Sequence, residues 1–317
     1  MPTANDKDKP TRRHLLALAA LAACCNGKYP PNKPMKLQGS SVQNSPPGGA
    51  APLPRPQVAP AAFVGHGGPT KVLETEQNAD MLVWGQSLRP LRAALVFSAH
   101  WQAAGVQIGT TTTRELIYDF GGFPAEMYRQ QYKAPVAAGL AAEVTSRLLT
   151  VPQALATGGV GQRSERGWDH GVWTATKVMW PQADVPLLQL ALPKWPFSDL
   201  FQLGQALAPM RQNDVLVLGS GSATHNLGLV NLGKVGEPPP AWAVEFDHWL
   251  AEVFVTRDWD SLIAAPVKAP AYKMNHPTDE HFAPLVLTAG AGADEHPTFP
   301  VVGWEYYIIS RRCVQMG

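Results

Sequence analysis

Short apolar runs rich in β-branched and aromatic residues alternate along the chain with longer amphipathic stretches. The short runs are bounded by glycine or polar residues and predict buried strands at 61–64, 92–99, 105–111, 185–192 and 214–219. The amphipathic stretches predict helices at 71–87, 136–149, 172–180, 198–211, 240–256, 258–264 and 279–289, and a further β-like run covers 304–310. Alternating strands and helices are typical of an α/β fold. We therefore predict a single α/β domain with a central mixed β-sheet flanked by helices.

Three of these strands lead into a histidine. His66 follows Val64 by two residues, His100 stands directly after the second apolar run, and His225 follows the glycine- and serine-rich segment after Leu218. In open α/β sheets the loops at the carboxyl ends of the strands form the ligand-binding crevice. A single histidine on an apolar run is equally well explained as a hydrogen-bonded core residue. Three that share a strand-end position instead indicate a metal site there, since neutral imidazole binds zinc, iron and copper.

Two more histidines are candidates for the same crevice. His170 lies between two tryptophans and beside a glycine. His281 follows Thr278, which favours a helix N-cap, so we expect it in the first turn of a helix at 279–289. Glu280 is a carboxylate ligand, a partner of a ligand, or simply a favourable charge at the start of that helix.

An aromatic segment at 118–124 precedes His170 along the chain. It places Phe120 and Phe123 close to Asp119 and is too aromatic for an ordinary solvent-exposed turn. Two interpretations remain open: the segment folds over the crevice, or it is a hydrophobic plug that only fills space.

Composition narrows the classes of partner and site. The chain has 26 basic and 25 acidic residues and no basic run longer than two residues, which argues against nucleic acid as a partner. Its three cysteines, two of them adjacent, form neither a disulfide framework nor a CxxC thiolate site for a metal. The metal ligands are therefore expected to be histidines.

The N-terminal region has the pattern of an export signal followed by a linker. Residues 1–23 contain a twin-arginine pair and an apolar run far shorter than the ~20 residues that span a bilayer. Cys24 ends a lipobox-like sequence, which would make it a lipidated first residue. Residues 24–57 are a Pro/Gly-rich linker, and 58–317 form the folded domain. We expect a periplasmic protein, lipid-anchored if Cys24 is modified and without a transmembrane span; a cytoplasmic location is the alternative.

Six motifs follow one another in the predicted domain. They are Gly65-His66-Gly67-x-Pro69, Ser98-Ala99-His100-Trp101, Asp119-Phe120-Gly121-Gly122-Phe123-Pro124, Trp168-Asp169-His170-Gly171, Gly219-Ser220-Gly221-x-x-x-His225-Asn226 and Pro277-Thr278-x-Glu280-His281. In this order they resemble the class III extradiol ring-cleavage dioxygenases, specifically the 4,5-DOPA dioxygenase branch. The resemblance covers nearly all of residues 60–317 and none of the N-terminal 56.

The resemblance implies a non-haem Fe(II) enzyme that opens a catechol such as DOPA beside its hydroxyls, with O2 as co-substrate and a semialdehyde as product. His66, His100 and His281 would hold the metal. His225 would be the acid/base and a further candidate ligand, and His170 would be a second catalytic histidine on the substrate side.

The substrate side of the site and the identity of the metal are further expectations. We expect Asp119, Phe120, Phe123 and Trp101 to contact the substrate. Relatives that cleave protocatechuate complete the metal triad with a carboxylate, in line with the usual site of such oxygenases. A third histidine, His281, makes this site more zinc-like, so Zn(II) is the alternative occupant. The oligomeric state is left open.

Two competing functions use the same residues. A zinc hydrolase would activate water on three imidazoles and needs a carboxylate base near the metal, for which Glu280 is the adjacent candidate. A non-catalytic binding protein of the same fold would have lost one or more of the crevice histidines, whereas all of them are present here.

Overall fold

The computed structural model describes residues 58–317 except 89, 110, 113 and 114. The predicted export signal at 1–23, the lipobox cysteine Cys24 and the linker at 24–57 lie outside the described residues. Within them the chain forms a single domain with a central mixed sheet flanked by helices, which confirms the predicted fold class. No helix in the described part of the chain is long and apolar enough to cross a membrane.

The described residues form ten strands, eight of which make up the central sheet. The strands are β1 (Ala61–Gly65), β2 (Ala93–Ala103), β3 (Gln107–Gly109), β4 (Gly161–Arg163), β5 (Leu187–Pro193), β6 (Val215–Gly221), β7 (Pro297–Thr298), β8 (Trp304–Glu305), β9 (Ile309–Ser310) and β10 (Val314–Met316). Their order in the sheet is β4-β3-β5-β2-β6-β1-β10-β7, and β8 pairs with β9 in a separate hairpin. The central four, β5, β2, β6 and β1, are parallel. Their carboxyl ends therefore meet at one edge.

The α-helices alternate with these strands along most of the chain. They are α1 (Ala79–Ser87), α2 (Ala141–Leu148), α3 (Pro152–Ala156), α4 (His170–Met179), α5 (Phe197–Leu207), α6 (Ala241–Thr256), α7 (Trp259–Ile263), α8 (Ala265–Lys268), α9 (Tyr272–Asn275) and α10 (Ala283–Ala291).

The sheet separates two hydrophobic cores, because alternate residues of each strand point to opposite faces. In β1, Ala61 and Phe63 join the core that contains α5 and α10, whereas Ala62 and Val64 join the core that contains α1 and α4. The helices α5 and α10 approach each other closely. A Cβ on Gly290 would lie 2.0 Å from the Phe201 carbonyl oxygen, so only glycine allows this contact.

Several predicted elements differ from those observed. The predicted helix 71–87 is a 3-10 turn at Pro69–Leu73 followed by α1. The predicted helix 279–289 begins only at Ala283, because Pro284 has no N–H to donate and its ring would clash with a carbonyl one turn earlier. His281 therefore lies in the turn before α10, not in its first turn. The run 304–310 is the β8–β9 hairpin, whose turn residues Tyr306 and Tyr307 have positive φ angles of 50° and 75°.

Candidate active site and metal centre

The carboxyl ends of β1, β2 and β6 bring the predicted histidines together. His66 follows β1 directly, and His100 lies in the last part of β2, where the pairing with β5 shifts register between Ser98 and Gln102. Parallel pairing sets the level of these ends, since Gly65 lies opposite Gly221 and Ser98 opposite Ser220. All five candidate histidines line one cavity of about 250 Å³; they are His66, His100, His170, His225 and His281.

Three of these histidines form a compact group of nitrogen atoms. One ring nitrogen from each of His66, His100 and His281 lies within 4.8 Å of the other two. His66 Nε2 and His100 Nε2 are 3.1 Å apart. The structure thus brings together the three residues predicted as ligands.

The hydrogen bonds of Ser220 define the tautomer of His66. The Ser220 hydroxyl donates its single proton to the Gly171 carbonyl oxygen at 2.5 Å. It therefore accepts from His66, whose Nδ1 lies 3.0 Å from Ser220 Oγ and must carry the proton. The Nε2 of His66 is left with a lone pair directed at the centre of the group.

Carboxylates have the same effect on the other two rings. His100 Nδ1 lies 3.4 Å from Asp119 Oδ2, and His281 Nδ1 lies 3.1 Å from Glu280 Oε1. A carboxylate favours a proton on the facing Nδ1, which again leaves Nε2 as the lone-pair atom. Glu280 is thus a partner of a candidate ligand.

The group fits a divalent cation. Two lone pairs that face each other at 3.1 Å repel unless a cation lies beside them, and His281 Nε2 is buried without a hydrogen-bond partner among the described residues. Burial, reinforced by the neighbouring imidazoles, holds the pKa of His66, His100 and His281 well below the ordinary value, so the rings are neutral. Neutral imidazoles with oriented Nδ1–H groups are what metal sites in proteins use.

His225 lies beside this group. Its ring stacks on that of His281, with centroids 3.4 Å apart and planes within 9°. The loop after β6 is held by a hydrogen bond from the His225 backbone N–H to the Asn275 carbonyl oxygen at 2.8 Å. Burial lowers the pKa of His225 to about 3, so this ring is also neutral near pH 7.

His170 begins α4 on the other side of the cavity. Its ring centroid is 3.9 Å from that of His100, and its Nδ1 lies 3.0 Å from Asp119 Oδ1. Asp119 also accepts a hydrogen bond at 2.9 Å from the backbone N–H of His170. Burial alone would raise the pKa of Asp119, but the contact with His170 lowers this pKa to about 2. Asp119 therefore remains ionised between the two imidazoles.

Part of the aromatic segment 118–124 lines the cavity, and part of it packs against the rest of the protein. Phe120 and Phe123 line the cavity and contact each other at right angles, with ring centroids 5.3 Å apart. Tyr118 instead faces the protein and donates a hydrogen bond to the Gln130 carbonyl oxygen at 2.7 Å. Each interpretation thus describes part of the segment.

Trp101 is placed away from the cavity. It follows His100 in β2, so its side chain points to the opposite face. It packs against Gly109, and the Arg166 guanidinium lies 4.5 Å above its ring. Trp101 is not among the described residues that line the cavity. We therefore drop the prediction that it contacts the substrate.

Sequence patterns assigned no role to several other residues of the site. Ser220 belongs to one of the six motifs but lies inside the buried strand β6, whereas Leu227, Tyr306 and Ile309 line the cavity from outside those motifs. Asp169 is fully buried beneath the site, where it accepts a hydrogen bond from Ser98 Oγ at 2.6 Å. Burial raises the pKa of Asp169.

A family comparison agrees with this geometry. Residues 78–316 match the model of the catalytic LigB subunit of aromatic ring-opening dioxygenase. The chain belongs to this LigB family of class III extradiol dioxygenases. It is therefore an oxidoreductase of the metal-dependent, ring-opening type, and its partners are a small aromatic substrate and O2.

Similar proteins support the assignment to the LigB family. The chain is 33% identical to the 4,5-DOPA dioxygenase extradiol of Beta vulgaris over 73% of its own length and 86% of that protein. It is 32% identical to the protein of the same name from Escherichia coli K12, over 81% and 94% of the two chains. The crystal structure of an uncharacterized protein from Escherichia coli K12 superposes with a TM-score of 0.67 at 29% identity, covering 82% of this chain and all of that one.

Proposed function

We propose that this dioxygenase uses Fe(II) to open a catechol ring beside its two hydroxyls, and that His66, His100 and His281 hold the metal. The observation that carries the proposal is the convergence of three Nε2 atoms whose Nδ1 groups all have partners. The names of the relatives support a substituted catechol as the substrate class. Fe(II) supplies the redox chemistry with O2 that Zn(II) lacks, and as a cation it favours the ionised catechol.

The protein binds and orients the catechol ring in the cavity. Phe120 and Phe123 provide flat apolar surfaces in the cavity, with Phe120 in edge contact with the His170 ring, and the T-shaped pair restricts the plane in which a ring can enter. These side chains also exclude water from the site. Exclusion of water strengthens every electrostatic interaction within the cavity.

His225 is the acid/base in this proposal. Its neutral ring lines the cavity next to His281 and can take a proton from a catechol hydroxyl through a ring nitrogen. The same nitrogen then returns the proton when the ring opens. His170 is held by Asp119 on the opposite side, where an Nε2 hydrogen bond to a substrate oxygen would orient it.

A zinc hydrolase is the weaker alternative on this geometry. It needs a carboxylate base facing the metal and its water. Asp119 is the only carboxylate among the described residues that line the cavity, and it is bound to His100 and His170. Glu280 contacts His281 Nδ1 and Thr278, and it is not among the described residues that line the cavity.

Oxygen consumption by the full chain tests the proposal. Protein loaded anaerobically with Fe(II) is mixed with simple catechols and L-DOPA, and O2 uptake and visible absorbance are followed. We expect a yellow product formed with equimolar O2, abolished by His225→Ala or by loading with Zn(II). His248→Ala, on the exposed face of α6, is the matched control and should remain active. No O2 uptake by the Fe(II)-loaded protein, together with zinc-dependent ester hydrolysis, would contradict the proposal.

A further inference from the structure

We propose that the ring substituent of the natural substrate is uncharged and apolar rather than a carboxylate or a zwitterion. The inference rests on the proposed function and deepens it, because it concerns the part of the cavity that the catechol oxygens do not occupy. It departs from DOPA itself, whose side chain carries both an ammonium and a carboxylate group.

Most of the cavity lining that is not histidine is hydrocarbon. An apolar wall is formed by Phe120, Phe123, Leu227, Ile309 and Pro69, and the other lining side chains are those of Asp119, Ser222 and Tyr306. A charged substituent placed against the apolar wall loses its hydration and gains no counter-ion, whereas an alkyl group gains buried contact. A cavity of about 250 Å³ lies just below the usual size of small-molecule sites, ~300–1,000 Å³, and suits one ring with a short substituent.

No lysine or arginine lines the cavity within the part of the chain that the structure describes. Nearby cations are bound elsewhere. Lys71 Nζ pairs with Glu305 at 2.8 Å and donates to the Gly65 carbonyl oxygen, and Arg166 lies over the Trp101 ring. A substrate carboxylate would therefore have no partner side chain of opposite charge among these residues.

The charged and polar side chains that do line the cavity disfavour an anion further. Asp119 is ionised and would repel a substrate carboxylate. Its two oxygens already face His170 and His100, which leaves it poorly placed to bind a substrate ammonium group. The Ser222 hydroxyl donates to the Thr224 carbonyl oxygen at 2.8 Å, so its proton is also engaged.

Matched substrates test the inference. The Fe(II)-loaded full chain is assayed with 4-propylcatechol, 3-(3,4-dihydroxyphenyl)propionate, the methyl ester of that acid, dopamine and L-DOPA. We expect kcat/KM for propylcatechol and the ester to exceed that for the acid, dopamine and L-DOPA by about 10-fold or more, as for other unpaired groups in apolar pockets. An equal or higher kcat/KM for the acid, dopamine or L-DOPA would overturn the inference.

A charge introduced into the wall should reverse the order. Leu227→Lys places a cation beside the substituent and should raise kcat/KM for the acid while lowering it for propylcatechol. Leu229→Lys, two residues away and exposed, is the matched control and should change neither. Arg114 lies outside the described residues, so its variant Arg114→Ala tests whether a further cation reaches the cavity. Loss of turnover of the acid alone in Arg114→Ala would show a cation at the wall and overturn the inference.

Binding without turnover separates the two proposals. Dissociation constants for propylcatechol and the acid are measured anaerobically with the Zn(II)-loaded protein, which binds catechols but cannot oxidise them. Tighter binding of propylcatechol with no O2 uptake in the iron form would sustain the inference and refute the proposed function. Turnover of both compounds by the iron form, with the acid preferred, would support the proposed function and refute the inference.

Discussion

Each of the three histidines that we propose as metal ligands has a different Nδ1 partner. His66 uses the Ser220 hydroxyl, His100 faces Asp119 and His281 faces Glu280. These partners hold the rings in the tautomer that directs Nε2 inward. The three rings are therefore already oriented for binding in the metal-free protein. Residue-scale predictions therefore concern metal affinity as well as activity.

Replacement of a proposed ligand should greatly weaken metal binding without unfolding the chain. His281→Ala removes one of the three proposed ligand nitrogens. We expect affinity for Zn(II) or Fe(II) to fall by more than about 100-fold, which is more than the loss expected when only the hydrogen-bond partner of a ligand is removed. Competition with a coloured chelator measures the affinity, and the metal-dependent rise in Tm should vanish in parallel. His248→Ala is the control; an unchanged affinity in His281→Ala would exclude that residue as a ligand.

The hydroxyl of Ser220 should matter although it touches no substrate. Ser220→Ala leaves His66 Nδ1 without its acceptor, so the ring loses its preferred tautomer. We expect metal affinity to fall about 10- to 100-fold, measured by the same competition. Ser146→Ala, at an exposed helix position, provides the comparison. Equal affinities in the two variants would show that Ser220 does not orient His66.

At the scale of elements, α4 packs closely against β2 next to the His100 ring. Gly171, in the first turn of α4, makes this approach possible: a Cβ there would lie 2.4 Å from Ser98 Oγ and 2.8 Å from His100 Cδ2. Asp169 caps the same helix by accepting from the Val172 backbone N–H at 3.3 Å. The start of α4 thus sets the position of both His170 and His100.

A single methyl group at Gly171 should displace His100. Gly171→Ala forces β2 and α4 apart, and we expect a loss of about 1–3 kcal/mol in the free energy of unfolding, typical of overpacking. Metal affinity should fall as well, because His100 moves. Gly139→Ala is the matched control, since a Cβ there meets nothing within 4 Å. Urea unfolding of both variants checks the prediction, which a wild-type stability for Gly171→Ala would contradict.

For the whole molecule, the buried histidines couple stability to pH. Burial lowers the pKa of His225 to about 3 and that of His276 to about 4, and the pKa values of His66, His100 and His281 also lie well below 6.5. Below about pH 6.5 the unfolded chain takes up protons that the folded protein does not. The contribution of the neutral buried histidines to the free energy of unfolding is therefore fully present above pH 6.5. It is lost progressively as the pH falls towards the pKa values of these residues in the folded protein.

The metal-free protein should accordingly unfold more easily at pH 5 than at pH 7.5. Each histidine contributes a slope of up to about 1.4 kcal/mol per pH unit in this window, where most carboxylates remain ionised. Urea unfolding at several pH values measures the slope. His248→Ala should retain it, because that residue is exposed. A flat profile between pH 7.5 and 5 would show that the buried histidines are protonated in the folded protein.

Local sequence determined the strands, their carboxyl ends and the residue types that stand there. The apolar runs predicted β1, β2, β5 and β6 to within a few residues, because burial on both faces demands continuous apolar sequence. The histidines after those runs could be identified for the same reason, since their position relative to a strand end is a local property. Helix starts were less predictable: Pro284 delayed α10 and left His281 in a turn.

Only the tertiary structure decided which histidine nitrogens face one another and which side chains line the cavity. Ser220 orients His66 across 154 residues of sequence, and Trp101, next to His100, is turned away by the alternation of the strand. The apolar wall is assembled from side chains such as Phe120, Leu227 and Ile309, which meet only after folding. Periodicity reports burial along one element, whereas tautomers, cavity walls and the absence of a lining cation depend on contacts between elements distant in sequence.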